Sequence, residues 1–341
     1  MKAIYASDVN YDDPISVLEV GERPDPAPRE NWTSIDVAAV TINHHDLWSL
    51  QGVGLSAKQT PMILGTDAAG TLREDVGAGR SALRAGDEVV LYTLIGADGA
   101  GVGPGERRTI LSEKYSGTMA QQASVPAANV FPKPKNLTLA EAAALGTSWL
   151  TAYSMLFSAA QVKPGDSVLI QGAGGGVATA AIQMAHAAGL EVFVTSRSEA
   201  KRARALELGA DAAVEPDARL PKKVDAVIES VGSATWSHSV KSVRPGGTIA
   251  ICGATSGDQP GAELTRIFFQ DLRVQGVTMG SREDFARMLR FVEHSDLHPV
   301  IAEAAAWDTS SSDAEATEVV RKAFSTVHEG DQFGKVVIEV K

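Results

Sequence analysis

VLIQGAGGGVA, residues 168–178, runs from an apolar, strand-like segment through a cluster of glycines into an alanine-rich segment of helical composition. Glycines at 172, 174, 175 and 176 let the backbone turn sharply and approach a pyrophosphate, and the small Ala178 lets a helix press on the strand. The N–H groups at the start of that helix then meet a phosphate with a partial positive charge behind them. A glycine cluster alone is a weak signal, and its position between strand and helix is what makes it a dinucleotide turn. The backbone contacts to phosphate are expected from Gly174, Gly175, Gly176 and Val177.

Outward from this turn, short apolar strands alternate with helical segments. Strands are expected at Val168–Gln171, Glu191–Thr195, Ala212–Glu215, Ala226–Glu229, Thr248–Cys252 and Val274–Met279, with helices at Val177–Ala188 and Glu199–Leu208 among them. That alternation predicts an α/β fold with a doubly wound parallel sheet. About 20 residues past the glycines, an NAD site places an acidic residue on the ribose 2′-hydroxyl. Here the second strand ends in Thr195-Ser196-Arg197-Ser198, with Lys201 close by and Arg202 and Arg204 following. Hydroxyls and a guanidinium suit a 2′-phosphate, so Ser196, Arg197 and Lys201 point to NADPH rather than NADH.

The 341-residue chain exceeds the length at which one core keeps growing, which favours two domains. Residues up to about 125 read as a compact β domain, with strand-like runs at Trp32–Val40 and Glu88–Leu94. GADGAGVGPG at 96–105 reads as a loop without a core of its own. From residue 138 the texture turns helical, with Thr138 and Glu141 spaced as a capping box. The segment 334–340 is again strand-like and is a candidate to rejoin the first domain. A net charge of −11 disfavours nucleic acid and anionic membranes as partners, and no apolar run is long enough to span a bilayer. With no signal-peptide pattern at the N-terminus, a cytoplasmic location is expected. The single cysteine, Cys252, excludes an intrachain disulfide and any zinc site made of several thiolates.

Taken together, INHHDLWSLQG at 42–52, PMILGTDAAG at 61–70, AGDEVV at 85–90, EAAALGTSWLTAY at 141–153, VKPGDSVLIQGAGGGVA at 162–178 and FGKVV at 333–337 resemble the medium-chain dehydrogenase/reductase superfamily over nearly the whole chain. The resemblance implies a GroES-like β domain, residues 1–124 completed by 299–341, and a Rossmann domain, residues 125–298, with the active site in the cleft between them. The positions that carry the catalytic zinc ligands in metal-dependent members read Asn43, Thr66 and Thr147 here, none of them a usual zinc ligand. His44, His45, Asp46 and Asp67 make a poor substitute set, because adjacent histidines in a strand point apart. No metal is therefore expected, and the chain looks like the zinc-free quinone oxidoreductase branch.

Without a metal to polarise an alcohol, the acceptor class narrows to quinones and alkenes conjugated to a carbonyl. In that branch the segment matching Asn43 and Asp46 lines the cleft, which makes both first candidates for the catalytic site. His45 joins them as a proton donor or as a structural histidine. Mitochondrial-type enoyl-thioester reductases carry a catalytic tyrosine shortly after this segment, whereas residues 51–55 hold none and Trp48 is the nearest aromatic, which weakens the thioester reading and leaves small enones open. By position, Thr151 matches a threonine on the nicotinamide side, Gly232 lies near the adenosine, and Cys252, Gly253 and Ala254 approach the nicotinamide through backbone. Cys252 is alternatively an inert core thiol, the commoner state, and no redox role is assigned to it. Gly334 and Lys335 lie on the returning strand, with the lysine reaching a cofactor phosphate or sitting at the surface. Loops 48–60 and 94–116 would shape the substrate pocket. A homodimer through the edge strand Val274–Met279 follows from the resemblance. The alternatives are a non-catalytic NADPH-binding protein, as in the lens zeta-crystallins, and an alcohol dehydrogenase.

Overall fold

A computed structural model describes residues 1–77, 82–96 and 108–341. Two compact units emerge, Met1–Thr147 with Ser281–Lys341, and Ser148–Gly280. The N-terminal part of the first contributes β1 (Lys2–Ala6), β2 (Leu18–Glu22), β3 (Trp32–Thr41), β4 (Met62–Ile63), β5 (Asp67–Leu72), β6 (Glu88–Leu91), β7 (Leu94–Gly96), β8 (Arg108–Ile110), β9 (Gln122–Pro126) and β10 (Val130–Pro132). Strand β3 alternates as its sequence predicts, Ile35 and Val37 turning into the core while Asp36 faces out. Its neighbours β5 and β9 both pair with it antiparallel. Helix α1 (His44–Leu50) follows β3 directly, so His44 and His45 are successive helical residues and not the strand residues that their apolar context implied. Of the loop read at 96–105, residues 97–105 lie outside the described residues, as does much of the 94–116 pocket loop.

The capping box at Thr138 and Glu141 opens α2 (Leu139–Ala143) as expected. The helix does not run on smoothly: Leu145–Trp149 is a wide π turn, followed by α3 (Leu150–Tyr153) and a second π turn at Ser154–Ala159. Gly146 stands at the first of these, where a Cβ would lie 2.7 Å from Asp67 Oδ1. Only glycine admits that carboxylate.

The second unit holds the parallel sheet: β11 (Ser167–Ile170), α4 (Gly176–Ala187), β12 (Glu191–Thr195), α5 (Glu199–Glu207), β13 (Ala212–Val214), β14 (Val224–Glu229), α6 (Trp236–Ser242), β15 (Val243–Ile251), α7 (Leu264–Phe269) and β16 (Arg273–Gly276). The strand order is β13-β12-β11-β14-β15-β16, every pair parallel, with direction of growth reversing at β11 and β14. This is the Rossmann order. Leu169, Phe193, Val227 and Ile249, one from each of four strands, meet in its core. Strand β15 begins five residues before the expected Thr248 because Pro245-Gly246-Gly247, which reads as a turn, continues the strand irregularly. At the edge, β16 is shorter than expected and stops at Gly276.

The chain then returns to the first unit through α8 (Arg282–His294), β17 (Ile301–Trp307), α9 (Asp313–Glu329) and β18 (Lys335–Val340). Strand β18 lies between β3, antiparallel, and β17, parallel, and completes a seven-stranded sheet. Phe324, Val320 and Ile338 pack with Ile35, Val40 and Leu50 in the core of this unit. Among the described residues, no helix is long and apolar enough to cross a membrane.

Candidate functional site

The residues singled out in the sequence fall into two groups, one in each unit. In the first unit, Asn43 sits between β3 and α1 as the helix N-cap. Its backbone N–H donates to Asp46 Oδ2 at 2.8 Å, and Gly65 N–H donates to Asp46 Oδ1 at 3.1 Å. Asp46 is fully buried, and burial pushes its carboxyl up to about 6 despite the pull of His45 and of the Asn43 N–H.

Asp67, at the start of β5, is also fully buried. Its Oδ2 accepts from Thr41 Oγ1 at 2.7 Å and from Asn43 Nδ2 at 2.9 Å, and its Oδ1 accepts from Thr147 Oγ1. Because the Thr147 proton is directed at Asp67, the 2.9 Å contact between Thr66 and Thr147 has Thr66 as donor. A directed chain results, Asn43 amide to Thr66 (3.1 Å), Thr66 to Thr147, Thr147 to Asp67. Asn43, Thr66 and Thr147 are the three positions matched above to zinc ligands. An amide N–H and two hydroxyls satisfied by one another do not fit a zinc ion, which takes thiolate, imidazole or carboxylate ligands. Among the described residues, no group of three or more His, Cys, Asp and Glu side chains lies together to replace them.

Lys335, the first residue of β18, enters the same cluster. Its Nζ donates to Ile42 O at 2.8 Å and to Asn43 Oδ1 at 2.6 Å, and it lies 4.0 Å from Asp67 Oδ2. With only 4% of its surface exposed, it is not the surface lysine the sequence allowed, and a phosphate contact would require leaving these partners. Burial holds its ammonium below the usual lysine range, opposed by the two carboxylates. Gly334 before it is explained by the chain path: φ is +108°, and a Cβ would lie 2.3 Å from Val300 O.

His45 faces a different partner. Its Nε2 lies 3.3 Å from Glu113 Oε1, while Glu113 Oε2 accepts from Thr109 Oγ1 at 3.0 Å. Burial pushes the Glu113 carboxyl up, but hydrogen bonds from His45 and Thr109 outweigh it and leave it below the usual range. His45 Nδ1 is buried without a hydrogen-bond partner.

In the second unit, the glycine turn lies where it was expected. Gly175 caps α4 with no side-chain partner, and the space above its Cα is open, so a phosphate would fit over the helix start. Beneath the turn runs a buried network. Gly172 N–H donates to Thr195 Oγ1 (3.3 Å), Thr195 to Gln171 Oε1 (2.6 Å), Gln171 Nε2 to Ser239 Oγ (3.0 Å), and Ser239 to Glu229 Oε2 (2.6 Å). Glu229 Oε1 also accepts from Val231 and Gly232 N–H and from Thr235. The network therefore ties the carboxyl ends of β11, β12 and β14 together at the reversal of strand order.

Ser196 and the exposed Arg197 directly follow β12, and Lys201 lies in the first turn of α5. Arg202 braces their backbone, donating to Ser196 O at 2.7 Å while ion-paired with Glu215. Gly232 abuts Ala254 and Gly257, joining the loops after β14 and β15. Cys252 lies beside them; burial first, and the Glu229 carboxylate second, push its thiol up to about 12, so it stays protonated. Thr151 is buried on α3.

Sequence reasoning missed Glu113, Glu229, Gln171 and the bracing role of Arg202. Glu229 carried a signal, a carboxylate closing an apolar parallel strand. Glu113 carried none, since 68 residues separate it from His45.

Residues 29–135 match the alcohol dehydrogenase GroES-like domain family, and residues 176–294 the zinc-binding dehydrogenase family. The zinc-type alcohol dehydrogenase-like protein YogA of Leptosphaeria maculans is 30% identical over 95% of this chain and 94% of that protein. The acryloyl-coenzyme A reductase of Sulfurisphaera tokodaii is 28% identical over 93% and 95%. A probable quinone oxidoreductase of Schizosaccharomyces pombe is 32% identical over 72% and 70%. Among solved structures, an NAD-dependent alcohol dehydrogenase superposes with a TM-score of 0.87 at 33% identity, covering both chains fully.

Proposed function

Because the chain belongs to the medium-chain dehydrogenase/reductase superfamily, a family of nicotinamide-dependent oxidoreductases, we propose that it transfers hydride from NADPH to a quinone or an α,β-unsaturated carbonyl without a metal. The observation that carries this reading is the closed chain of Asn43, Thr66, Thr147 and Asp67, which leaves the positions matched to zinc ligands satisfied by one another. NADPH, when bound, supplies the hydride. The acceptor oxygen that gains electrons then needs a proton, and His45, paired with Glu113, is the proton-exchanging side chain assigned to that task. Asn43 and Asp46 serve it by fixing the start of the helix that carries His45. Ser196, Arg197 and Lys201 hold the 2′-phosphate, with the helix start at Gly175 and Gly176 on the pyrophosphate. Thr151, Gly232, Cys252, Gly253 and Ala254 line the rest of the cofactor path.

A second copy completes the quaternary reading. Strand β16 is an edge strand with all four residues exposed, and Leu264, Phe268 and Phe269 of α7 are exposed beside it. Such a patch on an open edge favours a homodimer.

The test is NADPH consumption by the purified protein with 1,4-benzoquinone and with a short enone, before and after treatment with a zinc chelator, alongside metal analysis. The expected result is turnover that the chelator leaves unchanged and His45→Gln lowers by roughly 100-fold, within the range for general acid–base catalysis. Stoichiometric zinc with chelator-sensitive alcohol oxidation would overturn the reading, and tight NADPH binding with no turnover on either acceptor would establish a binding protein instead.

A further inference from the structure

The cluster around Asn43 contains two fully buried carboxylates, Asp46 and Asp67, and one buried ammonium, Lys335. The three atoms facing Lys335 Nζ are all oxygens: Ile42 O at 2.8 Å, Asn43 Oδ1 at 2.6 Å and Asp67 Oδ2 at 4.0 Å. Oxygens converging on one positive charge are what a small cation site provides. Here the cation is covalently part of the chain.

We propose that Lys335 is the resident cation of this cluster, balancing the buried carboxylates and setting the orientation of Asn43 in the place where a bound metal would otherwise do both. The argument about orientation is stereochemical. Asn43 has one oxygen and one NH2 group, and an ammonium can donate only to the oxygen. With Oδ1 held by Lys335, Nδ2 must face Thr66 Oγ1 and Asp67 Oδ2, at 3.1 and 2.9 Å. A flipped amide would set NH2 against NH3+ and leave Thr66 and Asp67 facing a carbonyl oxygen. The direction of the whole Asn43–Thr66–Thr147–Asp67 chain is therefore fixed by Lys335, which makes it a positioning residue and not a catalytic one. Breaking the Lys335–Asp67 pair on one side leaves an uncompensated charge, whereas removing both leaves only Asp46, whose carboxyl is held by the Asn43 and Gly65 N–H groups.

This inference rests on the metal-free reading above, but it is tested separately. Thermal unfolding is measured for Lys335→Met, Asp67→Asn and the double variant. Lys335→Met is expected to be poorly soluble or to melt well below the wild type, and the double variant to melt above Lys335→Met. A double variant no more stable than Lys335→Met would overturn the charge-balancing role. A second measurement needs no destabilised protein: 15N NMR of the lysine side chains in the wild type at neutral pH, with the Lys335 signal assigned by its loss in Lys335→Arg. A solvent-protected NH3+ resonance is expected, and a neutral amine would overturn the proposal. Metal analysis of the wild type, which decides the metal-free reading, is independent of both outcomes.

Discussion

At the scale of single residues, the buried acid Asp46 on α1 behaves differently from a surface carboxylate. Asp46 titrates near 6 against an ordinary 3.8, so the folded protein holds a proton there that the unfolded chain releases. The sign follows directly: stability contributed by the protonated form is full below about pH 4 and declines as pH rises through the window to about 6. A shift of about two units corresponds to about 3 kcal/mol. Asp46→Asn carries no such titration. Urea unfolding of both proteins across this window is therefore expected to show the wild type losing stability relative to the variant as pH rises, and parallel profiles would contradict the assignment. Arg197 belongs to the same scale. On the proposed NADPH reading, losing charge-assisted bonds from Arg197 to a 2′-phosphate, worth about 1.5–3 kcal/mol, should weaken NADPH binding by roughly 10- to 150-fold while leaving NADH unchanged. Equal loss for both dinucleotides, measured by fluorescence titration, would remove Arg197 from that role.

At the scale of elements, the glycine turn rests on more than its own backbone. Gln171 is fully buried and joins Thr195, His238 and Ser239. Gln171→Leu would leave several of these groups without partners, at about 1–3 kcal/mol for each group left unsatisfied. A lower unfolding midpoint together with weaker NADPH binding is expected, and unchanged NADPH affinity would show that the turn holds its shape unaided. The strands and helices of this unit were legible because each is a short block of apolar or alanine-rich residues bounded by turn signals. Less legible was the helical stretch expected over residues 138–157, which is interrupted by two π turns, the first at Gly146 where the chain lies close to Asp67, a proximity that composition does not encode. The candidate site divides in the same way. Local features such as the turn and the basic run after β12 could be read from spacing, whereas Asn43 and Asp46 came from the family resemblance and their capping geometry emerged only with helix α1. Lys335 with Asn43 could not be read, because 292 residues and a sheet pairing separate them.

At the scale of the whole molecule, the exposed edge β16 is the feature with a measurable consequence. Phe269 is 76% exposed and Val274 44% exposed, and both are apolar residues that a second copy would cover. Replacing both with glutamate should turn a dimer into a monomer in light scattering, with little change in the unfolding midpoint of the monomeric unit. A wild-type protein that is already monomeric at micromolar concentration would refute the dimer.

The return of β18 to β3 also sets an order in time. Ribosomal synthesis at roughly 5–20 residues per second places about 15–60 s between the emergence of Asn43 and of Lys335, 292 residues later. Throughout that interval β3 presents an unpaired edge where β18 will lie, and the carboxylates of Asp46 and Asp67 lack their ammonium. The second unit, encoded entirely within the gap, is free to fold first. A nascent chain of this protein thus acquires its parallel sheet early and its Asn43 cluster only at the close of translation, so a product stalled after residue 280 carries a sticky β edge together with the complete glycine turn.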